Sequence, residues 1–370
     1  MGRGGVGILR EVVNRWERRA PLVPSDVQKL VKQGIPVTVQ PSPRRVFADS
    51  EYRAAGALIS EDLSSTSLIL GVKQPSAQSI LRDKSYMFFG HVIKGQQENM
   101  PLLDKCIEAR VRFFDYECIA DANDKRLVAF GRFAGNAGFI DCLRGIGQRL
   151  LCLGYSTPFL AAASSYMYPS LNTAKAAVIA LGQEINRVGL PEGLHPMVFT
   201  FTGAGNVSLG AQEIFELLPH KWVESQDLEK ELRSPTHPII GVKAQLPDLV
   251  QRIDSSVPLS KAEYYEHPEL YEPIFHKNLA KYTNVLVNGV YWDQTFPRIL
   301  TKDQARHLFS VKGNLGLLFI SDISCDINGS IEFLVRSSSI EDPFYIYDPL
   351  TDMVHSDMCK FLSPSCYQSS

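Results

Sequence analysis

A chain of 370 residues with 45% apolar and 21% charged residues is long enough for two globular domains of roughly 100–200 residues each. Its net charge of −2 and the lack of a Lys/Arg stripe with interleaved aromatics argue against nucleic acid, and no apolar run reaches the ~18 residues of a membrane helix. The cysteines Cys106, Cys118, Cys142, Cys152, Cys325, Cys359 and Cys366 form no CxxC pair, so zinc is not expected, and they read as free thiols in a reducing compartment.

Residues 1 to about 130 alternate strand and helix. "VGILRE" reads as a strand, entered so soon after Met1 that a targeting peptide is either absent or already removed. "PSDVQKLVKQG" is a helix with Ser25 as N-cap, Val27, Leu30 and Val31 on one face, and Gly34 as its stop. "IPVTVQ" is the next strand, and a short helix follows near residues 49 to 56. Then come the strands "SLILGVKQP", "SYMFFGHVI" and "RVRFFDYE". Short continuous apolar runs between helices predict βαβ units and a buried parallel sheet. From residue 134, "AGNAGFIDCLRGIGQRLLCLG" and "LNTAKAAVIALGQEINRVG" are long helices. "PMVFTFTG", "NVLVNGVYW" and "GLLFISDIS" are strands of a second α/β set, and "TKDQARHLF" carries a Thr301/Gln304 capping box. The expected class is α/β: two Rossmann-like domains with parallel sheets flanking a central cleft. Residues 1–133, joined by a tail of about 335–370, form the substrate domain, and 134–334 the nucleotide domain.

"FTFTGAGNVSLGAQEIF" sets Gly203 and Gly205 directly after an apolar strand and before a helix. Glycines there let backbone N–H groups approach a pyrophosphate at the positive helix end. The third glycine, Gly210, falls two positions late, with Ser208 in its usual place. An acid ending the second strand would bind an NAD ribose; "HKWVESQDLEKEL" offers Glu224 and Asp227, and Ser225 beside the acid would suit NADP, so neither cofactor is excluded. In the first domain Lys73, His91 and Glu117 each follow an apolar strand, and the C-terminal ends of parallel strands share one edge where ligands bind. His91 suits proton transfer near neutral pH, and a desolvated lysine can act as a base. Arg18, Arg19, Arg126 and Arg132 could grip carboxylates through paired hydrogen bonds.

"ILREVVNRWERRAPLVP" resembles the amino-terminal signature of the alanine dehydrogenase, transhydrogenase and saccharopine dehydrogenase superfamily. "GVKQP", "FFGHVIKGQ" and "FTGAGNVSLGAQEIFELLP" narrow the resemblance to the lysine-ketoglutarate reductase domains of the alpha-aminoadipic semialdehyde synthases, bifunctional lysine-degrading enzymes of animals and plants. The resemblance runs through essentially the whole chain. It implies an NADPH-dependent condensation of L-lysine with 2-oxoglutarate to saccharopine, with Lys73 and His91 as the proton-transfer pair and Glu117 tuning them. It implies Arg19 and Arg126 on substrate carboxylates, Phe130 lining the pocket, and Lys94 and Asp322 as weaker polar contacts. Gly203, Gly205, Asn206 and Val207 would lie on the pyrophosphate, with backbone near Asn288 and Gly289 reaching the adenosine or nicotinamide side. A mitochondrial matrix location, a homo-oligomer and a fused saccharopine-oxidising domain beyond Ser370 are also implied. Two alternatives remain: a non-catalytic NADP-binding regulatory module, and an alanine-dehydrogenase-like enzyme acting on ammonia and a small keto acid.

Overall fold

The structure, a computed structural model, describes residues 4–360 apart from 94, 96, 314 and 315, and the backbone but not the side chain of residue 98. Its contacts divide the chain into two compact units, Met1–Ala129 and Phe130–Ser370. No described helix is long and apolar enough to cross a membrane.

The first unit is one parallel sheet. Its strands are β1 (Gly5–Ile8), β2 (Val37–Val39), β3 (Leu58–Ile59), β4 (Thr66–Leu70), β5 (Ser85–Phe88) and β6 (Arg112–Asp115), in the order β3-β2-β1-β4-β5-β6. The runs are apolar because both faces are covered. Leu70, Val6 and Val39 pack on one side with Val27 of helix α1 (Pro24–Lys32) and Tyr52 of α2 (Asp49–Ala54). Ile69, Tyr86 and Phe88 pack on the other with Leu102 and Cys106 of α3 (Met100–Glu108). Helix α1 begins differently from the sequence expectation: Val23 is its N-cap and Pro24 its first residue, so Ser25 lies inside the helix. Proline needs no N–H partner at that position and sets the start itself. Gly34 follows the helix with φ +76° and donates to the Val31 carbonyl.

The second unit opens with α4 (Gly131–Cys152) and α5 (Leu171–Val188), which precede β7 (Met197–Thr202) and α6 (Asn206–Phe215). Strands β8 (His220–Trp222) and β9 (Ile239–Lys243) follow, and a small antiparallel pair, β10 (Val250–Arg252) with β11 (Tyr271–Pro273), lies beyond them. Strands β12 (Val285–Asn288) and β13 (Phe319–Asp322) complete a five-stranded parallel sheet in the order β13-β12-β7-β9-β8. All six residues of β7 are buried. Phe199 and Phe201 pack against Phe139 of α4 and Phe215 of α6, while Val198 faces Leu286, Val242 and Phe275. Before β13, the helix Lys302–Lys312 starts with the Thr301/Gln304 capping box formed in both directions.

Two expectations differ here. The tail, assigned from sequence to the first domain, clusters with the second unit. Its strands β14 (Ile346–Asp348) and β15 (Met353–His355) pair with each other, and Tyr347 stacks on Phe333 at 4.4 Å. The guanidinium of buried Arg149 in α4 needs acceptors, and the carbonyls of Met358 and Lys360 supply them at 2.8 and 3.1 Å. The cysteines are not all free either: Cys152 and Cys359 form a disulfide across 207 residues, a separation with no local signature in sequence. Cys106, Cys118, Cys142 and Cys325 are thiols, and Cys366 lies outside the described residues.

Candidate active site

The C-terminal ends of β1, β4, β5 and β6 lie on one edge of the first sheet, because all these strands are parallel. The register continues past the strands, with Gly71 N–H donating to the Met87 carbonyl and Phe89 N–H to that of Val72. Residues just beyond these strands therefore meet at one rim.

After β5 the chain turns through His91 in the left-handed region, at φ +53°. Positive φ is uncommon outside glycine, and histidine is among the residues that adopt it most readily. Three bonds fix the turn: Gly90 N–H donates to Asp115 Oδ2 at 3.2 Å, Gln74 Nε2 to the Gly90 carbonyl, and Asn99 Nδ2 to the His91 carbonyl at 3.0 Å. A Cβ on Gly90 would come within 2.5 Å of the Phe113 ring. The His91 ring, stacked along Phe89 with centroids 6.3 Å apart, places Nδ1 3.2 Å from Glu117 Oε2. That oxygen is buried and has no hydrogen-bond partner among the described residues, so the approach to His91 is at ion-pair distance without bond alignment. Glu117 Oε1 lies 3.3 Å from Arg126 Nη2, whose guanidinium sits 5.7 Å from the Phe89 ring centroid. Asp115, the last residue of β6, accepts from the Glu117 N–H at 2.9 Å and so positions both His91 and Glu117.

Lys73 belongs to an adjoining constellation. The Glu11 carboxylate accepts from the Val72 and Lys73 N–H groups at 2.7 and 2.9 Å, clamping the turn after β4. Burial pushes the Glu11 carboxyl up, against the pull of those two N–H groups. Tyr116 is pushed up to about 12 by burial and by the nearby Glu11 charge. Burial raises Glu17 too, but the bonds and charge of Arg19, aided by Lys73, outweigh it and hold the carboxyl below its usual range. Arg19 spends Nε and Nη2 on Glu17 at 2.8 and 2.7 Å. His91, Glu117 and Arg126 are thus in contact, while Lys73 stands with Glu11 and Glu17 and is not bonded to His91. Glu11, Glu17 and Asp115 were not singled out from sequence; acids flanking the arginines of "LREVVNRWERR" were the available signal. Lys94 lies outside the described residues.

The second unit holds the other candidate residues. Gly203 follows β7 at φ +82°, where a Cβ would stand 2.7 Å from the Gly289 carbonyl oxygen. Gly205, the N-cap of α6, has no described residue within 4 Å of where its Cβ would be. Among the described residues the N–H groups of Asn206 and Val207 have no protein acceptor. Donors on an open helix end beside a side-chain-free turn fit the pyrophosphate of a dinucleotide. Asn288 is fully buried, accepting from Thr202 Oγ1 at 2.7 Å and donating to Asp322 Oδ1 and Ser330 Oγ at 2.9 Å. Its side chain ties the ends of β7, β12 and β13 together, leaving backbone for any ligand contact. Burial pushes Asp322 up, against its bonds from Ser324 and Asn288. Phe130 stands immediately before α4. A cavity of about 500 Å³, lined by residues that include Cys142, Asp322, Arg336 and Tyr345, contains no residue of the glycine turn.

Glu224 and Ser225 lie elsewhere than the sequence argument assumed. Strand β8 ends at Trp222 and lies at the edge of the described sheet, paired with β9, which separates it from β7. Glu224 is exposed beyond that outer strand. "HPIIGVKAQ", an apolar run opened by proline, was the overlooked signal for the intervening strand.

Residues 7–137 match the family model described as alanine dehydrogenase/PNT, N-terminal domain. Over 97% of its length the chain is 48% identical to alpha-aminoadipic semialdehyde synthase of Arabidopsis thaliana, of which it covers 35%. Over 95% it is 40% identical to the mitochondrial alpha-aminoadipic semialdehyde synthase of Mus musculus, of which it covers 39%. A shorter stretch, 35% of the chain, is 33% identical to the NAD(+), L-lysine-forming saccharopine dehydrogenase of Candida glabrata, covering 37% of it. The chain spans somewhat over a third of the length of these curated relatives.

Proposed function

We infer that the chain is the lysine-ketoglutarate reductase portion of an alpha-aminoadipic semialdehyde synthase and joins L-lysine to 2-oxoglutarate with NADPH to give saccharopine, a reading supported by its identity to those enzymes along nearly its whole length. The observation that carries the reading is His91, held in a left-handed turn beside a buried Glu117 oxygen that has no hydrogen bond among the described residues, with Arg126 on the other oxygen. A proton-transfer group gains from a ring held in place beside a carboxylate.

The reaction makes definite demands on this chain's residues. The ε-ammonium of lysine must lose a proton before its nitrogen can attack the keto carbon. The resulting carbinolamine hydroxyl must gain one to leave as water. Lys73 and His91 share these transfers, His91 through Nε2, since Nδ1 faces Glu117. Glu117 stands against Nδ1 and so orients the ring, and Glu11 holds the Lys73 backbone in place. Bound NADPH supplies the hydride that reduces the imine carbon. Gly203, Gly205, Asn206 and Val207 hold its pyrophosphate, with backbone at Asn288 and Gly289 alongside. Phe130 lines the substrate pocket in this reading, and Lys94 and Asp322 are secondary polar contacts. A fused saccharopine-oxidising domain, a homo-oligomer and a matrix location accompany this reading.

The test is absorbance loss of NADPH with purified chain, lysine and 2-oxoglutarate. Loss that needs all three supports the reading; a folded protein inactive with them, or one that prefers ammonia to lysine, overturns it. Both arginines face an acid, Arg19 through two short hydrogen bonds to Glu17 and Arg126 through one longer 3.3 Å approach to Glu117, which makes Arg126 the better placed of the two to grip a substrate carboxylate. Arg126→Ala is expected to raise KM for 2-oxoglutarate about 10–100-fold, the value of a charge-assisted hydrogen-bond pair. Steady-state kinetics with lysine saturating measure it, and an unchanged KM removes Arg126 from the substrate site.

A further inference from the structure

In an open parallel sheet of this kind, the adenosine ribose lies beyond the strand next to the one bearing the glycine turn. On the β8 side of β7, that neighbour is β9, with Phe201 opposite Lys243. The ribose position therefore falls at Lys243-Ala244-Gln245, and Glu224 is one strand too far out.

Strand alternation aims Lys243 at the α6 face. A Cβ on Gly241 would strike Phe215 and Trp222, so Lys243, two residues on, points the same way. Its Nζ stands 4.3 Å from the centroid of the Trp222 ring. That ring is itself packed against Phe201 and Phe215, at 5.5 and 4.8 Å, and so forms a rigid platform rooted in the core. Lys243 is exposed, and among the described residues no carboxylate pairs with it. A ribose 2′-hydroxyl is commonly held by a carboxylate at this strand end, whereas a 2′-phosphate needs a cation. An ammonium held on an aromatic face, with its charge uncompensated, suits the second.

We propose that Lys243, steadied on Trp222, binds the 2′-phosphate of NADPH and sets the cofactor preference of this chain. The proposal rests on the reading of the second unit as an NADP-binding domain. It is tested by calorimetric binding to the full 370-residue chain, without lysine or 2-oxoglutarate, using NADPH, NADH, 2′,5′-ADP and 5′-AMP. The wild type should bind 2′,5′-ADP more tightly than 5′-AMP. Lys243→Ala should weaken NADPH and 2′,5′-ADP about 10–100-fold, as for loss of a charge-assisted bond, and leave NADH and 5′-AMP unchanged. Lys243→Arg should keep the preference, and Glu224→Gln should not alter it. Unchanged NADH binding also reports that the variant is folded. If Lys243→Ala keeps the NADPH preference, or loses NADH and NADPH alike, the proposal is overturned while the NADP reading stands. If the wild type binds both cofactors equally, the NADP reading fails and takes the proposal with it.

Discussion

His91→Ala is expected to lower the rate of lysine-dependent NADPH oxidation by about 10²–10⁴-fold, the usual worth of a positioned acid–base group, with NADPH affinity unchanged. The separation of effects follows from location: His91 lies in the first unit, at the end of β5, whereas the glycine turn lies in the second. Lys73→Met keeps the stem and removes the ammonium, and its turnover should fall comparably. If the two residues serve one proton-transfer step, the double variant should be scarcely slower than the worse single variant, because the second loss removes nothing still in use. Rates that multiply would assign them to separate steps. Turnover undiminished in either single variant would remove that residue from the mechanism. His91→Ala should not unfold the chain, since its ring is partly exposed and the turn is held by Gln74, Asn99 and Asp115 through backbone groups.

How far the sequence led can be traced through particular residues. The parallel sheets were legible because "LILGV", "MFFG" and "VFTFT" are continuous apolar runs, a pattern that burial on both faces demands. The rim holding Lys73, His91 and Glu117 followed from parallel strands alone. The acids behind them were not legible: Glu11 reaches the turn after β4 from the end of β1, a contact across some sixty residues with no periodic trace. Nor was the strand order. Sequence order made β8 the neighbour of β7, but β9 inserts between them, so the ribose argument was applied to Glu224 on the wrong strand. Nor did the sequence show why the third glycine falls two positions late: Gly210 lies where α6 meets the backbone of α4.

That packing carries the second large effect. Gly210 lies where α6 meets α4, and a Cβ there would stand 2.0 Å from the Arg132 carbonyl oxygen. Gly135, facing it from α4, would put a Cβ 2.0 Å from the Val207 carbonyl oxygen. Both obstacles are backbone, so no side chain can swing aside and the helices themselves must separate. Gly210→Ala is therefore expected to destabilise the second unit by about 3 kcal/mol or more, lowering Tm by roughly 6–12 °C. Gly205→Ala provides the contrast. Its backbone is extended at φ −84°, and no described residue lies within 4 Å of the new methyl group, so stability should hold. The methyl would project where a pyrophosphate must approach the helix end, so NADPH affinity should fall instead. Thermal unfolding without ligand, followed by titration with NADPH, distinguishes the two variants. A Gly210→Ala chain as stable as the wild type would mean that α4 and α6 are not in such close contact, and the account of the displaced glycine would fall with it.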